Sequence, residues 1–193
     1  MNILVIYAYP NKEGLNYTIK ETILKNIDKT HTIKKIDLYK EKFNPVLYFD
    51  KEHKRRNLHL DEETEAYREL IKWSEYIIFI YPIWWGSMPA ILKGFIDRVF
   101  AKDFAYKYKG IMPIGLLKGK QSWIINTHDT PAWYVKIHQQ DYGHVLKKQI
   151  LKFCGIKKVK HTTLSFVRKS DKKKRDKFLM KIKKISRRIY RII

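Results

Sequence analysis

Short runs of consecutive apolar residues alternate along the chain with stretches whose apolar positions recur every three or four residues. The most apolar run covers residues 76–81, Tyr-Ile-Ile-Phe-Ile-Tyr. It is too short to cross a bilayer and rich in strand-favouring side chains, so it predicts a strand buried on both faces. Pro82, Ile83, Trp84, Trp85, Gly86 and Ser87 follow as a loop. From Pro89 onward, Ile91, Leu92, Phe95, Ile96, Val99 and Phe100 fall on roughly one side of a helix. Pro89 suits the first helical turn, where a missing N–H costs nothing.

The same alternation runs through the rest of the chain. Residues 2–8 open with Ile3-Leu4-Val5-Ile6 and predict a buried strand. A loop with Pro10, Asn11 and Gly14 leads to Asn16, the expected N-cap of a helix marked by Ile19, Ile23, Leu24 and Ile27. Residues 31–38 alternate polar and apolar and predict a more exposed strand, joined to the first by a right-handed parallel crossover. Residues 39–60 lack a period and read as a long loop with some helix. A helix over 61–73 opens with Asp-Glu-Glu at its positive end. After the central strand, loop and helix, residues 102–117 read as irregular, 121–126 as a strand and 127–143 as a second long loop. Residues 145–154 read as a helix stopped by Gly155, residues 157–167 as a less buried strand, and 170 to about 190 as a final helix. Five strands alternating with helices predict one domain over 1–193: an α/β chain of flavodoxin-like type, three layers around a five-stranded parallel sheet of order 2-1-3-4-5.

Composition narrows the function. At 193 residues and 45% hydrophobic content the chain can bury a full core. Its single cysteine, Cys154, excludes a disulfide framework and a Cys-based zinc site, and no metal is expected. The N-terminus lacks the basic region of a signal peptide, and no run of roughly 18 apolar residues is present, so a cytoplasmic protein is expected. The net charge is +22, and residues 168–193 hold 13 Lys/Arg against 2 Asp/Glu. Such a balance favours anionic partners but says nothing of fold. No recognition motif supports a nucleic-acid partner.

Three loops would meet at the carboxyl edge of the sheet, where open α/β sheets bind ligands. The first, Tyr9 to Asn16, leads into a helix N-terminus, which suits a phosphate, although neither GxGxxG nor GxxxxGK[ST] is present. An ordinary strand-to-helix turn explains it equally well. In the second, Trp84 and Trp85 cannot both enter one core, so at least one should face a pocket or another chain. The third, Asn126 to Tyr134, sets His128 beside Asp129, which invites a general-base role, while Tyr134 offers a phenol able to donate to a carbonyl that gains charge.

The 19 residues from Pro82 to Phe100, Pro-Ile-Trp-Trp-Gly-Ser-Met-Pro-Ala-Ile-Leu-Lys-Gly-Phe-Ile-Asp-Arg-Val-Phe, resemble the signature of the flavodoxin-like NAD(P)H:quinone oxidoreductases. That family includes general-stress quinone reductases and ancillary subunits of potassium-efflux systems. Asp37-Leu-Tyr39 with Phe43-Asn-Pro45, Phe104-Ala-Tyr106 and Phe153-Cys-Gly-Ile156 agree in order and spacing, so the similarity extends over residues 1–167. The resemblance implies a homodimer with FMN or FAD at the subunit interface, NAD(P)H as hydride donor and a quinone or similar acceptor. Position by position, it implies that Tyr9, Asn11, Gly14, Leu15 and Asn16 hold the flavin phosphate. Pro82, Ile83, Trp84, Trp85 and Gly86 would line the ring, Asn126 and Thr127 would meet its polar edge, and Tyr134 would assist hydride transfer. The chain departs from the family at Tyr9, usually His, at Gly14, usually Ser, and at Asn126-Thr-His-Asp129, often Thr-Thr-Gly-Gly. Two residues, His138 and His144, compete for the family's histidine downstream of the tyrosine. The other readings of the chain are a flavodoxin-like electron carrier, whose acidic surface the charge argues against, and a regulatory subunit of a membrane ion-efflux system.

In the basic tail, Phe178, Ile182, Ile185, Ile189 and Ile193 form one helical stripe. The expected role of this helix is to cover the sheet with a solvated outer face; the alternative is peripheral attachment to an anionic membrane.

Overall fold

The computed structural model describes residues 1–137 and 141–189. The elements, in chain order, are β1 (Asn2–Tyr7), α1 (Leu15–Asn26), β2 (Thr32–Asp37), α2 (Glu62–Trp73), β3 (Tyr76–Pro82), α3 (Ala90–Val99), β4 (Tyr106–Lys109), β5 (Met112–Gly115), β6 (Gln121–His128), α4 (Ala132–Ile137), β7 (Lys158–Ser165) and α5 (Lys172–Ser186). Five strands form an all-parallel sheet in the order β2-β1-β3-β6-β7, the expected 2-1-3-4-5 when only these five are counted. The remaining two, β4 and β5, pair as an antiparallel hairpin.

Each central strand is apolar at consecutive positions because both its faces are covered. On one side Ile3, Val5, Ile78, Ile80, Trp123 and Ile125 meet α1 and α5. On the other, Leu4, Ile6, Ile77, Phe79 and Ile124 meet α2, α3 and the segment Val145–Leu151. The stripe of α5 belongs to the first layer: Phe178, Ile182 and Ile185 are buried, as is Ile189 just beyond the helix. This helix therefore covers the sheet. Ile193 and the expected helix end near 190 lie outside the described residues, as does His138.

Several boundaries differ from the sequence reading. Gly14, with φ +88°, takes the N-cap position of α1, so Asn16 stands inside the helix and is buried. The strand expected over 121–126 continues through Thr127 and His128. The region 102–117 is not irregular but holds the β4–β5 hairpin, and the loop 127–143 contains α4. The helix expected over 145–154 is a π-helix over Val145–Leu151, with Lys152 N–H donating to Lys147 O at 3.3 Å, five residues back. Asp171 caps α5, which starts two residues later than expected and ends at Ser186.

The long loop after β2 is tied down at two points. Pro45 lies so close to α3 that a Cβ on Gly94 would come within 2.2 Å of its carbonyl oxygen. Arg98, buried on α3, donates to Asn44 O at 2.9 Å, to Asp61 at 3.0 Å and to Glu63 at 2.6 Å. Among the described residues no helix is long and apolar enough to cross a membrane.

Alanine is the better helix former, so on propensity alone Gly94→Ala would stabilise α3. The contact with Pro45 reverses the sign: the substitution is expected to cost about 1–3 kcal/mol, as overpacking does. A urea melt of the two proteins checks this.

Candidate active site

All strand carboxyl ends of the parallel sheet lie at one edge, and three loops converge there. After β3, Trp84 and Ser87 exchange backbone hydrogen bonds of 2.9 and 3.0 Å, closing a two-residue turn with Trp85 and Gly86 at its tip. Both tip residues are left-handed, Trp85 at φ +51° and Gly86 at φ +78°. Glycine adopts this shape freely; a tryptophan does so at a cost, and such strain gathers at functional sites. Trp85 is fully exposed and Trp84 40% exposed, so neither ring is core. Pro82 and Ile83, by contrast, are buried and anchor the turn.

Across from this turn lies the start of α1. Its first turn has no side-chain cap and no acidic residue, and a Cβ at Gly14 would meet open space. Free N–H groups at a helix N-terminus attract an anion. The Tyr9 ring bridges the two loops, 6.3 Å from that of Trp84. Asn11 shapes the first loop by accepting from Glu13 N–H at 2.8 Å and, through its carbonyl, from the Tyr7 hydroxyl at 3.3 Å. Leu15 packs against the core layer formed by α1 and α5. A flavin phosphate fits the bare helix start, and the two exposed indoles fit the broad ring.

The polar residues at the end of β6 face inward. Asn126 is fully buried, donating to Tyr142 O at 3.0 Å and accepting from the Thr163 hydroxyl at 2.7 Å. The Thr127 hydroxyl is paired with the Asn16 side-chain amide at 3.0 Å, joining α1 to β6. His128 is buried with its ring 4.6 Å from that of Tyr142. Burial pushes its pKa below the ordinary histidine value, against smaller pulls from the Thr130 backbone and Asp129. Asp129 turns instead to Arg168, accepting from its backbone N–H at 2.8 Å and its Nε at 3.0 Å. Tyr134, on α4, is about one-third exposed (36%), with its ring 5.8 Å from that of Trp133. The structure thus gathers Tyr9, Gly14, Trp84, Trp85 and Gly86 at the open edge and sets Asn16, Asn126, Thr127 and His128 behind it.

One group was missed by the sequence reading. Asp141 accepts from the Ser87 hydroxyl at 2.5 Å with one oxygen, and from the N–H groups of Gly143 and Val145 at 3.2 and 2.7 Å with the other. Tyr142 N–H donates to Gly86 O at 3.1 Å, and its hydroxyl meets that of Thr130 at 2.6 Å. Residues 141–142 therefore clasp the tip of the tryptophan turn and the loop after β6 together. An Asp four residues before the last of the amides it caps is a legible helix-start signal, but its bond to Ser87 spans 54 positions. Behind the clasp, His161 lies against Gly143, and burial, reinforced by His144 and Lys147, pushes its pKa down to about 4.

The sequence matches the flavodoxin-like fold family over residues 1–187. A protein of Haemophilus influenzae known as an uncharacterised NAD(P)H oxidoreductase is 30% identical over 179 residues, 91% of this chain and 89% of that protein. The chain belongs to the flavodoxin-like NAD(P)H:quinone oxidoreductase family. Human ribosyldihydronicotinamide dehydrogenase (quinone) is 27% identical over 180 residues, 80% of this chain and 77% of that enzyme. Among solved structures, Smu.1420 from Streptococcus mutans is 50% identical with a TM-score of 0.94, covering 97% of this chain and 99% of that one. An FMN-dependent NADH-azoreductase from Bacillus anthracis, solved with FMN, shares the fold at 19% identity and a TM-score of 0.77, covering 98% and 99%.

Two outcomes follow from the clasp. Asp141→Ala removes the acceptor of three hydrogen bonds and is expected to cost about 1.5–3 kcal/mol. In a double-mutant cycle with Ser87→Ala, the sum of the single effects should exceed the double by about 0.5 kcal/mol or more, because both remove one shared bond. The pH effect of His161 has a definite sign. Its folded pKa of about 4 lies below the 6.5 of the free side chain, so the unfolded chain protonates first on acidification. Its stabilising contribution is complete above pH 6.5, is lost as pH falls toward 4, and is level below. Urea midpoints at pH 7 and pH 4.5 should therefore fall less for His161→Gln than for the unaltered chain.

Proposed function

We propose that the protein is an NAD(P)H-dependent oxidoreductase that binds FMN and reduces quinones or related acceptors. The observation that carries this reading is the pairing, at one sheet edge, of a bare helix start at Gly14 with a strained turn that holds two tryptophans in the open. When bound, the flavin supplies reversible two-electron chemistry, with NAD(P)H as donor.

The residues of the chain bind, orient and shield. The free amides of α1 receive the phosphate, and the absence of a negative side chain in that first turn keeps the site attractive to it. The exposed indoles give the ring an apolar floor and exclude water from one side. The backbone of Trp84 to Ser87, locked by its own hydrogen bonds and by residues 141–142, presents polar groups to the ring edge at no cost in reorganisation. Tyr134, an exposed phenol on α4, would donate a hydrogen bond to a carbonyl that gains charge. Asn16, Asn126 and Thr127 act on this reading as supports, because Asn16 and Thr127 already bond each other and Asn126 bonds Tyr142 O and Thr163.

Trp85, Ile111, Met112 and Trp133 are large apolar side chains left exposed. A second copy of the chain would cover such surface, which supports a homodimer with its sites at the interface.

Anaerobic stopped-flow mixing tests the reading. The purified protein should show a visible flavin spectrum that bleaches with NADH or NADPH and returns on adding a quinone. A spectrum that does not bleach refutes it. Trp85→Gly separates strain from function. Glycine fits φ +51° freely, so stability should hold or rise despite the lost side chain, while the FMN dissociation constant should increase about tenfold or more.

A further inference from the structure

The outer face of α5 carries an excess of positive charge that few acidic groups balance. Twelve Lys/Arg stand between Arg168 and Arg188 against two Asp, and eleven of the twelve are exposed. The exception, Arg175, is spent on Ser170 and the Val167 carbonyl. Among the described residues only Arg168 of this group forms an ion pair, with Asp129. Other helices of the same chain behave differently: Lys72 pairs with Glu69 at 2.8 Å, and Lys93 with Asp97 at 2.6 Å. The cations of α5 therefore repel one another with only Asp176 on the helix to offset them, a cost that an anionic surface would reduce.

Packing fixes which way they point. Phe178, Ile182 and Ile185 hold one side of the helix against the sheet. Lys173, Lys177, Lys181, Lys184 and Arg188 recur at steps of 4, 4, 3 and 4 along a flank roughly 100° from that stripe and stay exposed. The 15-residue helix thus offers a row of charge about 22 Å long. Met180 stands 64% exposed within this row, and Phe166, 38% exposed at φ +60°, stands just before it.

We propose that this face adsorbs the protein to bilayers carrying anionic headgroups. The apolar stripe is committed to the core, so the helix does not insert; charge attracts, and Met180 and Phe166 make shallow contact at the boundary. A duplex fits the face less well. The helix is docked along its length beside α1, as the groove lined by Thr22, Lys25, Leu179 and Met180 shows, and so does not project into a nucleic-acid groove. The row carries no aromatic ring on which bases could stack. Because α5 follows the carboxyl end of β7, the row starts at the same sheet edge as the site. The proposal rests on charge and packing alone, so failure of the flavin reading leaves it standing.

Co-sedimentation of the full chain with lipid vesicles tests it. Binding is expected to vesicles of phosphatidylglycerol and phosphatidylcholine, not to phosphatidylcholine alone, and to be released by salt. Combining Lys173→Glu, Lys177→Glu, Lys181→Glu and Lys184→Glu should weaken partitioning about a hundredfold or more. The same four positions changed to Gln, with thermal melts of both variants, separate lost charge from lost fold. For orientation, Met180→Cys can be labelled with an environment-sensitive dye, since Cys154 is buried, and its emission should rise on anionic vesicles. The proposal is overturned if the unaltered chain stays in the supernatant, if the charge-reversed chain binds equally, if the dye at 180 does not respond, or if a duplex oligonucleotide strips the protein from vesicles more effectively than free lipid does.

Discussion

The site depends on the parallel pairing of β3 with β6. That pairing runs from Tyr76 opposite Gln121 to Pro82 opposite Thr127, and the Ile83 N–H extends it by donating to Thr127 O at 2.8 Å. Both strands therefore release their loops at the same height, side by side. A slip of one residue would turn every buried side chain of β6 to the opposite face and move Thr127 away from Asn16. The apolar interior fixes the register, and the register fixes where the tryptophan turn stands.

What the sequence revealed and what it hid divide along this line. Continuous apolar runs such as Ile77 to Tyr81 announce buried strands because no other element of that length is apolar at every position. The end of β6 defeats the same logic. Thr127 and His128 are polar and suggest a loop, yet the strand continues beyond Asn126 because Tyr142, Thr163 and Asn16 satisfy or cover all three residues. Those partners come from 14 (His128 to Tyr142) to 111 positions away, so no local pattern encodes them. The N-cap at Gly14 was hidden differently. Asn16 has the usual capping side chain, but its amide is drawn inward to Thr127, and the glycine's left-handed backbone starts the helix instead. Asp141 was legible as a cap for the segment that follows, but not as the holder of Ser87.

The inward pairing changes how the edge should be understood. The residues at this edge divide into an exposed layer and a buried layer that holds the first in position. Tyr9, Trp84, Trp85 and the start of α1 form the outer layer; Asn16, Asn126, Thr127 and Tyr142 form the inner one. Such an inner layer is what allows a backbone strained at Trp85 to persist, since hydrogen bonds on both sides of the tip over-determine its shape.

The two anchors of the long loop carry a consequence for chain length. Pro45 is pressed against Gly94, and Asp61 is held by Arg98, so both ends of the intervening segment are fixed on α3 or beside it. Between them, Val46, Tyr48 and Phe49 remain exposed. With the ends fixed, the entropy of closing the loop depends only weakly on its length, and doubling the span costs only about 0.6 kcal/mol. Length changes among the exposed residues ahead of the 3₁₀ turn at Arg55–Leu60 therefore leave the register of the sheet undisturbed.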